Sequence, residues 1–430
     1  MYVKIDETKY TEISKLQFEP ETDITGNTIP VNEMWVSIRT SGYIELGSRV
    51  SLYDDLDKLW CKYWVTYAEH EDERTVRVHG VSAVSRLDTV TLDAKMYENQ
   101  SVSSVLWEIL GSLSGEYEMD ESFNSERIDG YCPKQSARVR LQWVCMSIGA
   151  YVRHYFGDSI QILPIDETTE TVIPLSDTYW KPKVTYNDYV TAVRTKYYQY
   201  YQRLPSNTEE YVTIGDKSKG ETETHYVQES TQVTLTNPDV PPAAHENVVD
   251  MEGMTLTNSR NVDEIVSFMS KYRFNRTEMD LEAVNNGDYI PGMRVYAYMD
   301  EDTMVQGYIE SCSFSFGLQA KASMHLTPVE VIDSAVLEIT YEFGEYTVGV
   351  RKFRLPVGYG FSIQNPYVDM TFNRHRYILR PVNATCDGTM VQEGIKVTES
   401  MERALELFDG YLTTESVDKL TQTDGDVVIS

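Results

Sequence analysis

The chain has 430 residues, enough for about two to four domains. Its 67 Asp and Glu against 38 Lys and Arg give a formal net charge of −29, which excludes tight nucleic-acid binding through clustered cations. Five widely spaced cysteines, Cys61, Cys132, Cys145, Cys312 and Cys386, contain no CxxC pair and read as reduced thiols rather than a disulfide framework or a zinc site.

No run of about 18 apolar residues marks a membrane segment. The opening Met1-Tyr2-Val3-Lys4-Ile5-Asp6 has no basic stretch followed by an apolar core, so folding in a cytoplasm is expected. The first ninety residues or so predict strands at Tyr2 to Ile5, Trp35 to Arg39, Ser48 to Tyr53, Lys62 to Tyr67 and Thr75 to Val81. Alternation in Arg49-Val50-Ser51-Leu52 and Val76-Arg77-Val78-His79 turns every second side chain to one interior, as in a small β-barrel or sandwich.

Helical spacing follows. Val102, Val105, Leu106 and Ile109 predict one helix over 101 to 111, and Leu141, Val144, Cys145 and Ile148 another over 135 to 150. Tyr151 to Arg153 and Ser159 to Ile162 then read as a hairpin about Phe156-Gly157-Asp158, which completes an α+β unit. Strands resume at Lys183 to Tyr186 and Tyr189 to Tyr201. Residues 204 to 260 look like a long hairpin arm and a loop able to reach a neighbouring subunit. A helix is expected at Val262 to Tyr272, then strands near Glu278 to Ala283, Arg294 to Met299, Gln306 to Phe316 and Ala320 to Leu326. Beyond residue 333 come strand-like runs at Val336 to Tyr341, Tyr346 to Phe353 and Arg376 to Arg380, an amphipathic helix Met401 to Phe408, and a polar tail.

Gly47-Ser48-Arg49-Val50-Ser51-Leu52-Tyr53 recurs as Gly292-Met293-Arg294-Val295-Tyr296-Ala297-Tyr298, at an offset of 245 (292 minus 47). Two further strands follow each copy and end at Val78-His79 and Met324-His325, where the offset is 246 (325 minus 79). The order and near-constant spacing point to an internal duplication. The fold class expected is mainly β with an α+β insertion. Residues 1–90 would form a first β-barrel, 91–180 the insertion, 181–332 a second, similar barrel with the hairpin arm, and 333–430 a C-terminal extension. The matched structural positions are Gly47, Arg49, Val50, Tyr53 and His79 in one copy, and Gly292, Arg294, Val295, Tyr298 and His325 in the other. Three such chains in a ring would present six similar faces, so that a trimer could dock on a hexameric partner.

These segments resemble a known group, the baseplate hub or late-control D-like proteins of contractile phage tails and tail-like bacteriocins. The likeness covers roughly residues 1 to 330. It is carried by Val3-Lys4-Ile5, by Tyr43 to Tyr53, by Ile128-Asp129-Gly130-Tyr131 leading to Leu141 to Cys145 and Gly149 to Val152, and by Pro291-Gly292 to Val295. The resemblance implies a virion or tail-like particle protein, assembled in the bacterial cytoplasm. It implies a homotrimer whose paired barrels join the tail tube protein to the central spike protein beside other baseplate proteins. An acidic lumen would let DNA pass without sticking.

Enzyme motifs are absent: there is no HExxH, GxSxG, GxxxxGK[ST] or GxGxxG after a strand, and no cofactor is expected. A Cys145 and His154 nucleophile pair is conceivable, but Cys145 lies on an apolar helical stripe and reads as a structural thiol. His79 and His325 read as sharing a structural role at a strand end rather than a metal. Trp60, Tyr63 and Trp64 read as barrel core or, alternatively, as an interface patch. The alternatives to a non-catalytic hub are a receptor- or carbohydrate-binding tip of a non-contractile tail and a cell-wall hydrolase.

Overall fold

A computed structural model describes residues 1–333 except for 112–116, 155–158, 167–170, 174–176, 180–181, 216–219, 286, 299–302 and 317–319, with side chains as far as Glu330; beyond them it describes the backbone of strands between 342 and 429. The expected helix at Met401 to Phe408, the run at Val336 to Tyr341 and the turn at 156–158 lie outside the described residues.

The first seven strands are β1 (Tyr2–Ile5), β2 (Thr8–Tyr10), β3 (Ile13–Glu19), β4 (Glu33–Arg39), β5 (Arg49–Tyr53), β6 (Leu59–Asp72) and β7 (Thr75–Val81). Period-2 alternation does what the sequence suggested: Met34, Val36 and Ile38 on β4 and Val76 and Val78 on β7 all point into one core. β3 was not foreseen, because its buried residues are interleaved with Ser, Lys and Gln and only Phe18 is fully buried.

The insertion adds β8 (Thr91–Leu92), β9 (Lys95–Ser101), α1 (Val102–Leu110), β10 (Tyr117–Met119), β11 (Arg127–Cys132), β12 (Gln135–Ser136), α2 (Ala137–Ser147), β13 (Ala150–Arg153) and β14 (Ile160–Pro164). Both helices begin at a serine whose side chain accepts from a backbone N–H three residues on, Ser101 from Ser104 and Ser136 from Val139. The predicted stripes, Val102, Val105, Leu106 and Ile109 against Leu141, Val144 and Cys145, meet in the insertion's own core. Burying each such aliphatic side chain is worth about 1.5–3 kcal/mol.

Next come β15 (Thr171–Ile173), β16 (Lys183–Tyr186), β17 (Ala192–Gln202), β18 (Tyr211–Ile214), β19 (Thr224–Thr236), β20 (Val248–Asp250) and α3 (Val262–Arg273), followed by β21 (Thr277–Val284), β22 (Arg294–Tyr298), β23 (Thr303–Phe316) and β24 (Ala320–Asp333). Strands β17 to β20 make a separate four-stranded sheet. Its base packs with α3 around Val193, Val266 and Met269 and reaches Met146 of α2. The long β17–β19 hairpin is thus anchored to the insertion rather than to the second barrel, while its far end is exposed.

The remaining strands form two modules of one topology. The first runs β3-β4-β7-β6-β5-β1 and the second β16-β21-β24-β23-β22-β15. Each strand of the first has its counterpart at the same place in the second. They differ at the last strand: β1 pairs antiparallel with β5, but β15 pairs parallel with β22, because it arrives from the insertion instead of from the chain start. The second module therefore begins before residue 180. Strand β23 pairs with β3, which joins both modules into one sheet over one continuous core. The structure is mainly β, with a duplicated module and an α+β insertion.

The described strands beyond residue 341 belong to a second compact unit. Its strands are β25 (Glu342–Val348), β26 (Arg351–Val357), β27 (Val368–Phe372), β28 (His375–Cys386), β29 (Thr389–Thr398), β30 (Leu420–Thr423) and β31 (Asp426–Ile429), in the order β26-β25-β28-β29-β31-β30 with β27 also on β28.

Candidate functional site

The matched positions of the two copies fall at matched places. Gly47 and Gly292 each open the strand that follows, with φ of +88° and +86°, a left-handed backbone that glycine adopts without cost. Arg49 lies opposite Trp64 with its guanidinium 3.9 Å from that ring, and Arg294 lies opposite Tyr308 at 5.7 Å. Val50 and Val295 are fully buried. Tyr53 and Tyr298 are half-buried at the strand ends, and Tyr53 stacks on Tyr2 with ring centroids 5.0 Å apart.

The two histidines sit on the same rung: His79 of β7 lies opposite Trp35 of β4, and His325 of β24 opposite Asp280 of β21. His79 stacks on Trp35 at 4.1 Å and contacts Glu33 at 3.1 Å and Thr66 Oγ1 at 2.9 Å. His325 contacts Asp280 at 2.7 Å, Glu310 at 3.7 Å and Glu278 at 3.8 Å. The neighbours correspond as well, Glu33 to Glu278 and Trp35 to Asp280 at an offset of 245 (278 minus 33), and Thr66 to Glu310 at 244 (310 minus 66). Reading the offset residue by residue would have found these partners. Single-strand patterning could not, because outward polar positions carry no periodic signal of their own.

The copies diverge in charge. Around His325 two aromatic or neutral neighbours have become carboxylates, beside a cavity of about 520 Å³ lined by Glu19, Glu21, Lys183, Asp280, Glu282 and His325. Burial, with Glu19 and Glu33 nearby, pushes the Glu21 carboxyl above the usual range. Burial also raises Glu310, against the pull of His325. Among the described residues no group of three or more His, Cys, Asp or Glu is arranged to hold a metal ion. The arrangement concentrates negative charge where the modules join, and it disfavours anions there.

Of the aromatic trio, Trp60 and Tyr63 are core, whereas Trp64 faces outward between the guanidinium groups of Arg49 at 3.9 Å and Arg86 at 4.6 Å. Cys145 is fully buried, and burial pushes its thiol up to about 12, so no thiolate is available. His154 is spent on Asn32, whose amide lies 3.3 Å from one ring nitrogen. No helix among the described residues is long and apolar enough to cross a membrane.

Solved structures of tail proteins share this architecture. A tail protein from Neisseria meningitidis matches with a TM-score of 0.55 and 9% identity, over 76% of this chain and 95% of that one. A prophage tail protein from Shewanella oneidensis matches at 0.52 and 10% over 76% and 97%, and the prophage tail protein gp18 from Listeria monocytogenes at 0.50 and 11% over 79% and 96%. The chain has the fold of phage tail proteins. At identities this low the likeness is one of fold alone, yet it spans nearly the whole of each of those chains. No family model and no curated protein matches the sequence.

Proposed function

We propose that this chain is a structural component of a phage-type tail, the baseplate hub, and that it carries no catalytic activity. In this reading three copies form a ring of six modules with pseudo-six-fold symmetry. The ring joins the hexameric tail tube to the central spike, and the unit beyond residue 332 contacts the spike or a neighbouring baseplate protein. The particle is a virion or a tail-like bacteriocin assembled in the bacterial cytoplasm.

The observation that carries the reading is the recurrence of one six-strand order in a chain with the fold of tail proteins. A module present twice per chain turns three-fold assembly into a six-fold surface without a second gene product. The net charge of −29 supports a passage that nucleic acid crosses without binding. Mass photometry of the purified chain tests the proposal: a species of three copies is expected, alone or with tube and spike proteins added. Monomers under every one of these conditions would overturn it.

A further inference from the structure

Among the described strands the two modules are joined by one junction, and each half of that junction has a counterpart that no described strand covers. Strand β22 covers β23 only as far as Ile309, whose carbonyl accepts from Gly292. Past that point the edge of β23 is taken by β3 and the residues after it. Thr22 donates to Glu310, Cys312 donates to Pro20, and Phe314 lies opposite Phe18. In the first module β5 likewise covers β6 only as far as Val65, whose carbonyl accepts from Gly47. From Thr66 to Asp72 that edge of β6 has no described strand on it, the other edge being held by β7. The counterpart of β3 is β16, which ends the sheet and pairs, among the described strands, with β21 alone.

We infer that the free edge of β6 receives β16 from a second copy of this chain, in the register of the internal junction. That register follows from the matched rungs. Phe18 lies opposite Met34 as Val184 lies opposite Met279, and Val65 corresponds to Ile309 through the shared glycine donors, so Val184 stands for Phe18 and His70 for Phe314. Val184 then meets His70, and one rung further Lys183 meets Glu71. Charged edge strands ordinarily prevent pairing when both carry the same sign. Here the signs are opposite: Glu69, Glu71, Asp72 and Glu73 are exposed at the end of β6, and Lys183 is exposed on β16. Main-chain hydrogen bonds along the rungs supply affinity, and Lys183 fixes the register by sharing Glu71 with Lys15, which lies 3.7 Å from it within the chain.

Only the number of copies in the closed ring rests on the hub reading. The interface itself rests on the internal junction. The test uses the full chain with Glu71→Cys and Lys183→Cys combined. Positions directly opposite on antiparallel strands lie within disulfide reach. Mild oxidation is expected to link separate chains in the double variant and in neither single one. Glu71→Lys is expected to shift the assembly to monomers with unchanged circular dichroism, and adding Lys183→Glu is expected to restore it. A wild-type oligomer that gives no such disulfide and withstands Glu71→Lys would overturn this interface and leave the hub reading standing. A wild-type chain that stays monomeric at every concentration and with its tail partners would overturn both.

Discussion

Gly47 and Gly292 make the same turn: each has φ near +87°, being +88° and +86°, and each donates its N–H across to the next strand, to Val65 at 2.8 Å and Ile309 at 2.7 Å. Their surroundings differ. A Cβ on Gly47 would meet nothing within 4 Å, whereas one on Gly292 would come within 2.7 Å of the Tyr151 ring from the insertion. Gly47→Ala is therefore expected to cost about 1–2 kcal/mol for the left-handed backbone alone. Gly292→Ala should cost more, since the ring must also move. Urea denaturation of the two variants checks this, and equal losses would show that Tyr151 yields freely.

Much of this repeat was legible in the sequence, because a glycine turn followed by an alternating strand is a local signal and the constant offset adds long-range support. What it did not reveal is how the modules join. Strand β3, which makes the junction, has one fully buried residue, Phe18, and its partner Phe314 lies almost three hundred residues away. Likewise residues 171–173 carry no strand signal in the sequence and fall within the 91–180 span expected for the insertion, while β15 pairs with β22. Pairing of distant edges is decided by the assembled core, not by any short window.

Arg140 is another residue that the apolar pattern of its helix hid. It is fully buried on α2, donates to the carbonyls of Asp93 at 2.7 Å and Pro133 at 3.0 Å, and pairs with Glu108 at 3.4 Å. Replacing it with leucine leaves those carbonyls without a donor, and a loss of about 3 kcal/mol is expected. Arg140→Lys should recover only part, because an ammonium group cannot span the same fork of acceptors. Thermal melts of the two variants decide; full stability with lysine would mean that charge, and not the fork, is what matters.

Stability should depend on pH through His154. Burial pushes its pKa down from 6.5 to about 3, so the folded chain keeps the ring neutral where the unfolded chain protonates it. The unfolded state binds the extra proton, and stability falls as the pH drops from 6.5 toward 3, by at most about 1.4 kcal/mol per unit. Glu21 and Glu310, whose pKa values burial raises, act with the opposite sign, so the His154 contribution is read as the difference between the wild-type chain and a His154 variant. His154→Gln should flatten that part of the curve in urea titrations, whatever it does to stability at pH 7. An unchanged slope would assign the dependence elsewhere.

The junction makes the most specific demand. Phe314 stacks on Phe18 at 5.7 Å, meets the edge of Trp60 at 5.0 Å and stacks on Phe316 at 5.8 Å, so one side chain from the second module is held by two from the first. Truncation to alanine removes these contacts and leaves a cavity, at an expected cost of about 3–5 kcal/mol. Because the lost contacts lie between the modules, the loss should fall on their coupling, and differential scanning calorimetry is expected to resolve two transitions in the variant. Val295→Ala, which thins the core of one module well inside its sheet, serves as the control. Its loss should lower the transition without dividing it. If Phe314→Ala instead melts in a single step with a loss below about 1 kcal/mol, the modules are held together by the shared backbone rungs and the aromatic cluster is filler.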